Sequence, residues 1–138
     1  MVSVSICSEL QYSQPVQNYA RLLAAWLGRG ELSGLLGNNG QFERNSKAIS
    51  SGIFKIHVRL PVDKPWPASQ RQQSRTSNNY LIYAQHWDYR NYFHIIALIS
   101  PDAHERAASV LPAVIKIVEE EFQCLNEREL NSLLHVTG

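Results

Sequence analysis

A predicted β-strand carries the sequence IFKIHVRL over residues Ile53–Leu60. Apolar residues alternate there with basic or imidazole residues, and successive side chains of a strand point to opposite faces of a sheet. One face is therefore expected to pack in a core while the other presents Lys55, His57 and Arg59. A solvated outer face is the ordinary explanation of such alternation, but three successive outward positions of this kind are less usual. We interpret the strand as a core element and a candidate functional surface.

The residues before this strand predict a strand followed by helices. Apolar residues alternate over the first seven positions, which favours a short β-strand. Ser13 is a suitable N-cap for an amphipathic helix whose apolar residues recur every three or four positions and which should end near Gly28 or Gly30. A second helical turn is predicted over Glu31–Leu36, and the sequence GNNG that follows it predicts a turn.

The residues after it predict a long loop, a hairpin and helices. Pro61–Asn79 contains three prolines around Trp66 and no periodic pattern, and loops of this length are usually functional or disordered. Tyr80–Trp87 and Tyr92–Ser100 predict two strands joined by a short turn. A helix is expected from Pro101 and Asp102, kinked or broken at Pro112, and a last short helix over Glu127–Leu134. The order of elements predicts a single α+β domain over residues 1–138.

Charge is distributed unevenly along a chain whose formal net charge is only +1. The segment from Arg44 to Arg75 holds seven basic residues and one acid, Asp63, whereas Asp102 to Glu129 holds seven acids and three basic residues. The basic segment favours an anionic partner such as nucleic acid. The alternative is that the two segments pair with each other inside the fold. The basic residues are Arg44, Lys47, Lys55, Arg59, Lys64, Arg71 and Arg75.

Several functional classes have little support in the sequence. Cys7 and Cys124 are far apart and lack metal-ligand spacing, so two reduced thiols in a cytoplasmic protein are expected. No signal peptide or membrane-spanning run is expected. His86 and His94 could face each other across the hairpin, but with no third ligand evident we expect no metal and no cofactor.

Several segments together resemble the YafO family of toxins from type II toxin–antitoxin systems. The resemblance extends from about Tyr19 to about Phe122, and its most specific part is the Ser-Arg-Thr block at residues 74–76 with the downstream Tyr and Gln. At residues 37–39 the chain has Gly-Asn-Asn where the family usually has Gly-Arg-Asp. The segments that carry the resemblance are Pro65–Pro67, Arg71–Thr76, Leu81–Gln85, Ile96–His104, Ile56–Val58, Gly30–Leu32 and Leu36–Gly37.

The resemblance implies both an activity and a fold. The activity is that of a ribosome-dependent endoribonuclease, or mRNA interferase, that cuts translated mRNA in the ribosomal A site and is neutralised by a cognate antitoxin. The fold is RelE-like, with a twisted antiparallel sheet, N-terminal helices and a C-terminal helix. The order of elements deduced above agrees with that fold.

Metal-independent RNA cleavage by a 2′-hydroxyl needs an acid or base and a cation beside the phosphate. His57 is our leading acid or base candidate, since histidine exchanges protons near neutral pH. Arg75 is the leading phosphate stabiliser, since its planar fork donates two hydrogen bonds at once. Tyr83 and Gln85 are expected one strand away with matching alternation, where they could orient a base or the phosphate. The candidate substrate-binding residues are Lys55, Arg59, Arg71, Ser74, Thr76 and Gln85.

Two other functions are compatible with the same surface. A ParE-type relative of this fold would poison DNA gyrase and use the basic strand as a contact surface. A non-catalytic RNA- or ribosome-binding module would use it for phosphate contacts that weaken steeply with salt.

Overall fold

The computed structural model describes residues 1–138 as one six-stranded sheet with helices on both faces. None of the helices has the length and apolar character needed to cross a membrane. The strands are β1 (Ser3–Ile6), β2 (Leu36–Gly40), β3 (Ile53–Val58), β4 (Tyr80–Gln85), β5 (Tyr92–Ile99) and β6 (His135–Thr137). The helices are α1 (Gln14–Arg29), α2 (Ser46–Ser50), α3 (Ala103–Val118) and α4 (Glu127–Ser132), with a 3₁₀ turn at Gln72–Ser74 and a π-helical turn at Glu119–Gln123.

The strand order in the sheet is β2-β3-β4-β5-β1-β6, and every pair is antiparallel except β1 with β5. This confirms the α+β class and a mostly antiparallel sheet compatible with a small RelE-like domain. The central register pairs His57 of β3 with Tyr80 of β4, and Lys55 with Ile82. Because directly opposite residues of neighbouring strands point to the same face, His57 and Lys55 share a face with Tyr80 and Ile82.

Each face of the sheet has its own core. On one face α1 covers a cluster that includes Leu23, Ile56 and Leu81. On the other face α3 and the π-helical turn cover a cluster that includes Ile82 and Phe122. The three middle strands therefore carry core residues on both faces, and Lys55 of β3 is only partly buried among them.

Helix α1 forms where the sequence predicts it. The Ser13 hydroxyl accepts a hydrogen bond from the Val16 N–H at the first turn. Gly30 ends the helix in the left-handed region with φ +71°, a conformation that glycine adopts without steric cost. The α1 bounds agree with the predicted end near Gly28 or Gly30.

The prediction for residues 31–40 is wrong. Glu31–Leu36 forms no helix, and the Gly-Asn-Asn-Gly segment is most of strand β2. One edge of β2 pairs with β3, and the other receives the loop that ends at Arg75, whose carbonyl accepts from the Asn38 N–H at 2.9 Å. A Cβ at Gly37 would lie 2.5 Å from the Arg75 carbonyl oxygen. Glycine is thus required there by a neighbouring segment, not by a turn.

Two predictions near the C-terminus also need correction. Helix α3 continues through Pro112, so no break occurs at that residue. The last helix ends at Ser132 instead of Leu134, and the chain then adds the short edge strand β6 against β1. Three residues are too few for their alternation to predict a strand.

The side chain of Arg75 holds the long loop against β2. It is 2% exposed. Its Nε donates to the Gln70 carbonyl at 3.0 Å, and Nη1 donates to the carbonyls of Ser33 and Leu36 at 3.2 and 3.0 Å. Nη2 donates to the Pro67 carbonyl at 3.2 Å. The expectation that this guanidinium faces a phosphate is not met in this structure, because its donors are directed at main-chain carbonyls of its own fold.

Arg75→Ala is expected to lower the free energy of unfolding by at least about 3 kcal/mol, since each buried acceptor left unpaired costs about 1–3 kcal/mol. Urea unfolding followed by circular dichroism measures the change. Arg75→Lys should fall between wild type and Arg75→Ala, because an ammonium reaches fewer of the four carbonyls. Arg71→Ala, at an exposed position of the same loop, should stay within about 0.5 kcal/mol of wild type. Equal losses of stability at positions 71 and 75 would contradict the role of the Arg75 side chain in holding the loop.

A buried histidine makes stability depend on pH. The His94 ring stacks on Phe122 with centroids 4.9 Å apart, and its Nδ1 lies 2.7 Å from the Ser5 hydroxyl. Burial lowers the pKa of His94 from 6.5 to about 4. The unfolded chain therefore takes up this proton before the folded chain does as the pH falls.

The contribution of His94 to the free energy of unfolding should be constant above about pH 6.5. It should decrease by about 3 kcal/mol between pH 6.5 and pH 4. His94→Asn, which keeps a polar atom near the position of Nδ1 but does not titrate, should flatten this part of the profile. Urea midpoints at pH 7.0, 5.5 and 4.5 test it. Parallel profiles for both proteins would show that another group carries the pH dependence.

Candidate functional site

An open groove of about 910 Å³ lies on the α3 face of the sheet. One wall is the segment from β2 to the start of α2, residues 38–45, and the other is the first half of α3. Strands β3 and β4 form the floor. The titratable and charged residues that line this groove are Glu43, Arg44, Lys55, Tyr80 and His104.

Lys55 supplies a positive charge at the floor of the groove. Its Nζ lies 4.9 Å from the centre of the Phe42 ring and 5.1 Å from that of Tyr80. Cation–π contacts with the two rings fix the ammonium without neutralising it. The one ion pair in the chain joins Arg29 and Glu31, so Lys55 forms no ion pair, although Glu43 lines the same groove.

The same observation decides between the two interpretations of the charge pattern. No basic residue of the segment from Arg44 to Arg75 forms an ion pair with an acid of the segment from Asp102 to Glu129. The two segments therefore do not neutralise each other within the fold. Arg44 and Lys47 are exposed beside the groove, which leaves their charge free for an external anion.

His57 lies next to Lys55 on the same face, at the end of β3. Its ring meets the Tyr80 ring edge to face, with centroids 4.7 Å apart. The Ser77 N–H donates to His57 Nδ1 at 2.8 Å, and the Ser77 carbonyl oxygen lies 3.0 Å from the same nitrogen. Burial lowers the pKa of His57; the Ser77 carbonyl partly offsets this, and the charges of Lys55 and His104 lower it further. The ring is therefore neutral at physiological pH.

Tyr80 connects His57 to a second histidine. The Tyr80 hydroxyl lies 3.4 Å from Nδ1 of His104, which is exposed near the start of α3. Burial and, to a smaller extent, the charge of Glu105 raise the pKa of Tyr80, so it remains a hydroxyl. The structure thus places an imidazole on each side of one phenol, next to an unpaired ammonium.

Arg59 follows the last residue of β3 and leaves the row formed by Lys55 and His57. Its guanidinium stacks over the Trp66 ring at 4.7 Å. Its Nε is buried without a hydrogen-bond partner. Arg59 borders the proline-rich loop and, like His57, is not part of the groove lining, so of the three residues of the predicted cationic face only Lys55 lines the groove.

The expectation that Tyr83 and Gln85 match the alternation of His57 is wrong. Register pairs His57 with Tyr80, so Tyr83 points to the α1 face, where it is fully buried and its hydroxyl donates to Asn39 Oδ1 at 2.6 Å. Burial raises the pKa of Tyr83 far above its ordinary value. Gln85 lies at the opposite end of β4, where its Nε2 donates to the Arg90 carbonyl at 2.8 Å.

The remaining candidates lie on the loop outside the groove. Arg71, Ser74 and Thr76 are exposed, and the Ser74 hydroxyl donates to the Arg71 carbonyl at 2.9 Å. None of the three lines the groove. They could contact a long ligand, but the structure does not place them around His57.

His86 and His94 do not form a metal site. Both rings contact Phe122, at 5.3 and 4.9 Å between centroids. His86 Nδ1 accepts from the main-chain N–H groups of Asp88 and Tyr89. No group of three or more His, Cys, Asp or Glu side chains in the chain could hold a metal ion.

Sequence reasoning missed three contributors to the groove. Tyr80 is apparent only from the β3–β4 register, and His104 only once α3 is packed across the sheet. Arg44 was counted as charge but not assigned to a site. Alternation within β4 does provide one signal. If His57 pairs with an even-numbered residue of β4, the odd-numbered Tyr83 must point to the other face of the sheet.

The fold and groove define a small α+β protein with an unneutralised basic, imidazole-containing site. The chain matches the model of the family described as toxin YafO, type II toxin–antitoxin system, over residues 24–124. It belongs to this family. Searches of the curated proteins and of the solved structures find no significant match to the chain.

Family membership defines the protein as a toxin that has a cognate antitoxin. The matched residues include the whole groove and also His57 and Ser77, whereas β1, most of α1 and β6 lie wholly or largely outside them.

The two tyrosines of β4 allow a matched test of the groove. Tyr80→Phe removes the hydroxyl beside His104 and should reduce toxicity about fivefold, the equivalent of one hydrogen bond of about 1 kcal/mol. Tyr83→Phe removes a hydroxyl on the other face and should cost about 1 kcal/mol of stability while toxicity is retained. Growth arrest against inducer concentration, at equal soluble protein, measures both. Loss of toxicity in Tyr83→Phe alone would place the site on the α1 face.

Proposed function

We propose that this toxin is a ribosome-dependent endoribonuclease that cleaves translated mRNA by attack of a ribose 2′-hydroxyl, without a metal. The observation that carries the proposal is the unpaired Lys55 ammonium at the floor of an open groove, flanked by Tyr80 and two imidazoles. These groups are the ones that the reaction requires.

Cleavage of this kind gathers negative charge on the phosphate as the 2′-oxygen attacks. A fixed cation in a partly dry site stabilises that charge more than water does. Lys55 is positioned by its two aromatic neighbours and meets this requirement. Arg44, exposed at the groove wall, can hold a neighbouring phosphate.

Proton transfer is the second requirement, and imidazole is the side chain suited to it near neutral pH. His57 and His104 both contact Tyr80. The site thus offers two candidate imidazoles that contact one tyrosine, His104 on the α3 wall of the groove and His57 beside Tyr80 outside the lining. The phosphate role expected of Arg75 passes to Lys55 and Arg44 in this proposal.

The shape of the groove supports dependence on the ribosome. The groove is open to solvent. A bound RNA strand would therefore be held on one side only, and the ribosomal A site would supply the other wall. Exposed basic residues of the loop, Lys64 and Arg71, are available for contacts with ribosomal or messenger RNA. The site of action would be the cytoplasm, where translation takes place.

The positive charge of the groove also provides a way for the antitoxin to inhibit the toxin. Because the groove cations have no internal partners, an acidic segment of the antitoxin that lies in the groove would neutralise them and exclude RNA. This is a proposal about the inhibitory segment; that a cognate antitoxin exists follows from the family.

Lys55→Ala is expected to lower the rate of mRNA cleavage on translating ribosomes about 100-fold, by analogy with the loss of one fixed transition-state donor. Lys116→Ala, at an exposed position of α3 outside the groove, is the matched control and should cleave at the wild-type rate. Mapping of RNA 5′ ends in a translating extract, with and without ribosomes stalled before addition of the toxin, measures both proteins.

Three outcomes separate the competing functions. New 5′ ends that appear only during translation support the proposal. Intact transcripts together with DNA breaks and an SOS response would instead indicate a gyrase poison. Intact transcripts with salt-sensitive ribosome binding would indicate a non-catalytic binding module.

A further inference from the structure

The two imidazole rings beside Tyr80 differ in the group that contacts Nδ1. Nδ1 of His57 receives a main-chain N–H, whereas Nδ1 of His104 faces a hydroxyl. A main-chain N–H can only donate, but a phenolic hydroxyl can either donate or accept. This difference decides which ring can take a proton from the groove.

The Ser77 N–H fixes the tautomer of His57. Because Nδ1 accepts this hydrogen bond at 2.8 Å, the neutral ring carries its proton on Nε2. Ser77 itself is held in place, since its hydroxyl lies within hydrogen-bond distance of the carbonyls of Val58 and Asn79. His57 could accept a proton on Nε2 only after its own proton moved to Nδ1. That move would replace the hydrogen bond from the Ser77 N–H to Nδ1 by one from the Nδ1–H group to the Ser77 carbonyl, 3.0 Å away.

His104 has no such restriction. The Tyr80 hydroxyl is the one hydrogen-bond partner of its ring, at 3.4 Å. If Nδ1 carries the proton and donates to the Tyr80 oxygen, Nε2 is left with a lone pair. The ring is exposed and lines the groove, so an RNA hydroxyl can reach it. When Nε2 takes a proton, the bond from Nδ1 to the phenol oxygen is retained.

We propose that His104 is the general base of this site and that His57 acts as a neutral Nε2–H donor to the phosphate. This assignment rests on the proposed endoribonuclease function. His104 Nε2 takes the proton of the 2′-hydroxyl, the 2′-oxygen forms a bond to phosphorus, and the bond from phosphorus to the 5′-oxygen breaks. The leaving 5′-oxygen takes a proton from water, and the resulting hydroxide is neutralised by the proton released from His104. The products are a 2′,3′-cyclic phosphate and a 5′-hydroxyl.

The electrostatic surroundings of the two rings are mixed. Lys55 and Arg44 bring positive charge, which favours binding of phosphate, while Glu43 lines the opposite wall of the groove from His104 and Glu105 follows His104 on α3. The titratable and charged groups around the site are Lys55 and His57 of β3, Tyr80 of β4, Glu43 and Arg44 of the segment before α2, and His104 and Glu105 of α3.

The same substitution at both positions separates the two roles. A glutamine side chain places an amide N–H near the position of histidine Nε2 but cannot take a proton. His104→Gln should therefore lower kcat by at least about 100-fold, the contribution of a general base. His57→Gln should lose no more than about tenfold, whereas His57→Ala, which has no donor, should lose about 100-fold. Circular dichroism and urea midpoints establish that each variant is folded.

The pH profile of cleavage provides a readout that a structural role would not change. The decrease in rate on the acidic side should disappear in His104→Gln and persist in His57→Gln. Imidazole added to His104→Ala should restore part of the activity, since that position is exposed. A larger loss in His57→Gln than in His104→Gln, with the acid limb abolished, would overturn the assignment.

Nuclear magnetic resonance tests the tautomer without reference to activity. In ¹⁵N-histidine-labelled toxin at pH 7.5, His57 should show a protonated Nε2 and an unprotonated Nδ1. The opposite tautomer would overturn the donor role. If wild-type toxin cleaves no mRNA on ribosomes, the proposed function fails; if wild type cleaves and His104→Gln cleaves equally well, only the assignment of His104 fails.

Discussion

Four hydrogen bonds from one guanidinium hold the long loop of residues 61–79 in place. Arg75 donates to carbonyls from the segment before β2 and from the loop after β3. The loop of residues 61–79 is also anchored by the buried Trp66, whose N–H donates to the Gly34 carbonyl, but Arg75 makes the largest set of side-chain hydrogen bonds in it. The cost of burying a charge is offset here by the density of acceptors around it.

The hydrogen bonds of Arg75 also affect the shape of the groove. The loop held by Arg75 gives β2 a second hydrogen-bonding neighbour, so a segment of glycines and asparagines becomes a strand. Strand β2 leads directly into residues 38–45, which form one wall of the groove. The same loop contains Ser77, whose N–H sets the tautomer of His57. A buried arginine that does not touch the site thus positions both a wall and a ring of the site.

The groove is unusual in what it does not contain. Its cations have no acidic partners within the chain, although the chain has nearly as many acids as basic residues. Keeping charge unpaired gives up little stability at the surface, where an ion pair contributes only about 0–1 kcal/mol. It retains a positive potential that draws in an anionic polymer. For a toxin that must be silenced by a protein partner, the same potential offers an inhibitor a surface to bind.

The sequence by itself determined the α+β class, helix α1 with both of its ends, the two strands of the hairpin and the cationic face of β3. These features depend on local periodicity and capping, which are written in neighbouring residues. It also identified His57 and Lys55, because alternation within one strand needs no knowledge of the next. Tertiary structure alone decided that β2 is a strand, that Arg75 is internal, that Tyr80 and not Tyr83 faces His57, and that His104 joins them. Each of these depends on register between strands or on contacts between distant segments, and a single residue of register reverses the face of every side chain.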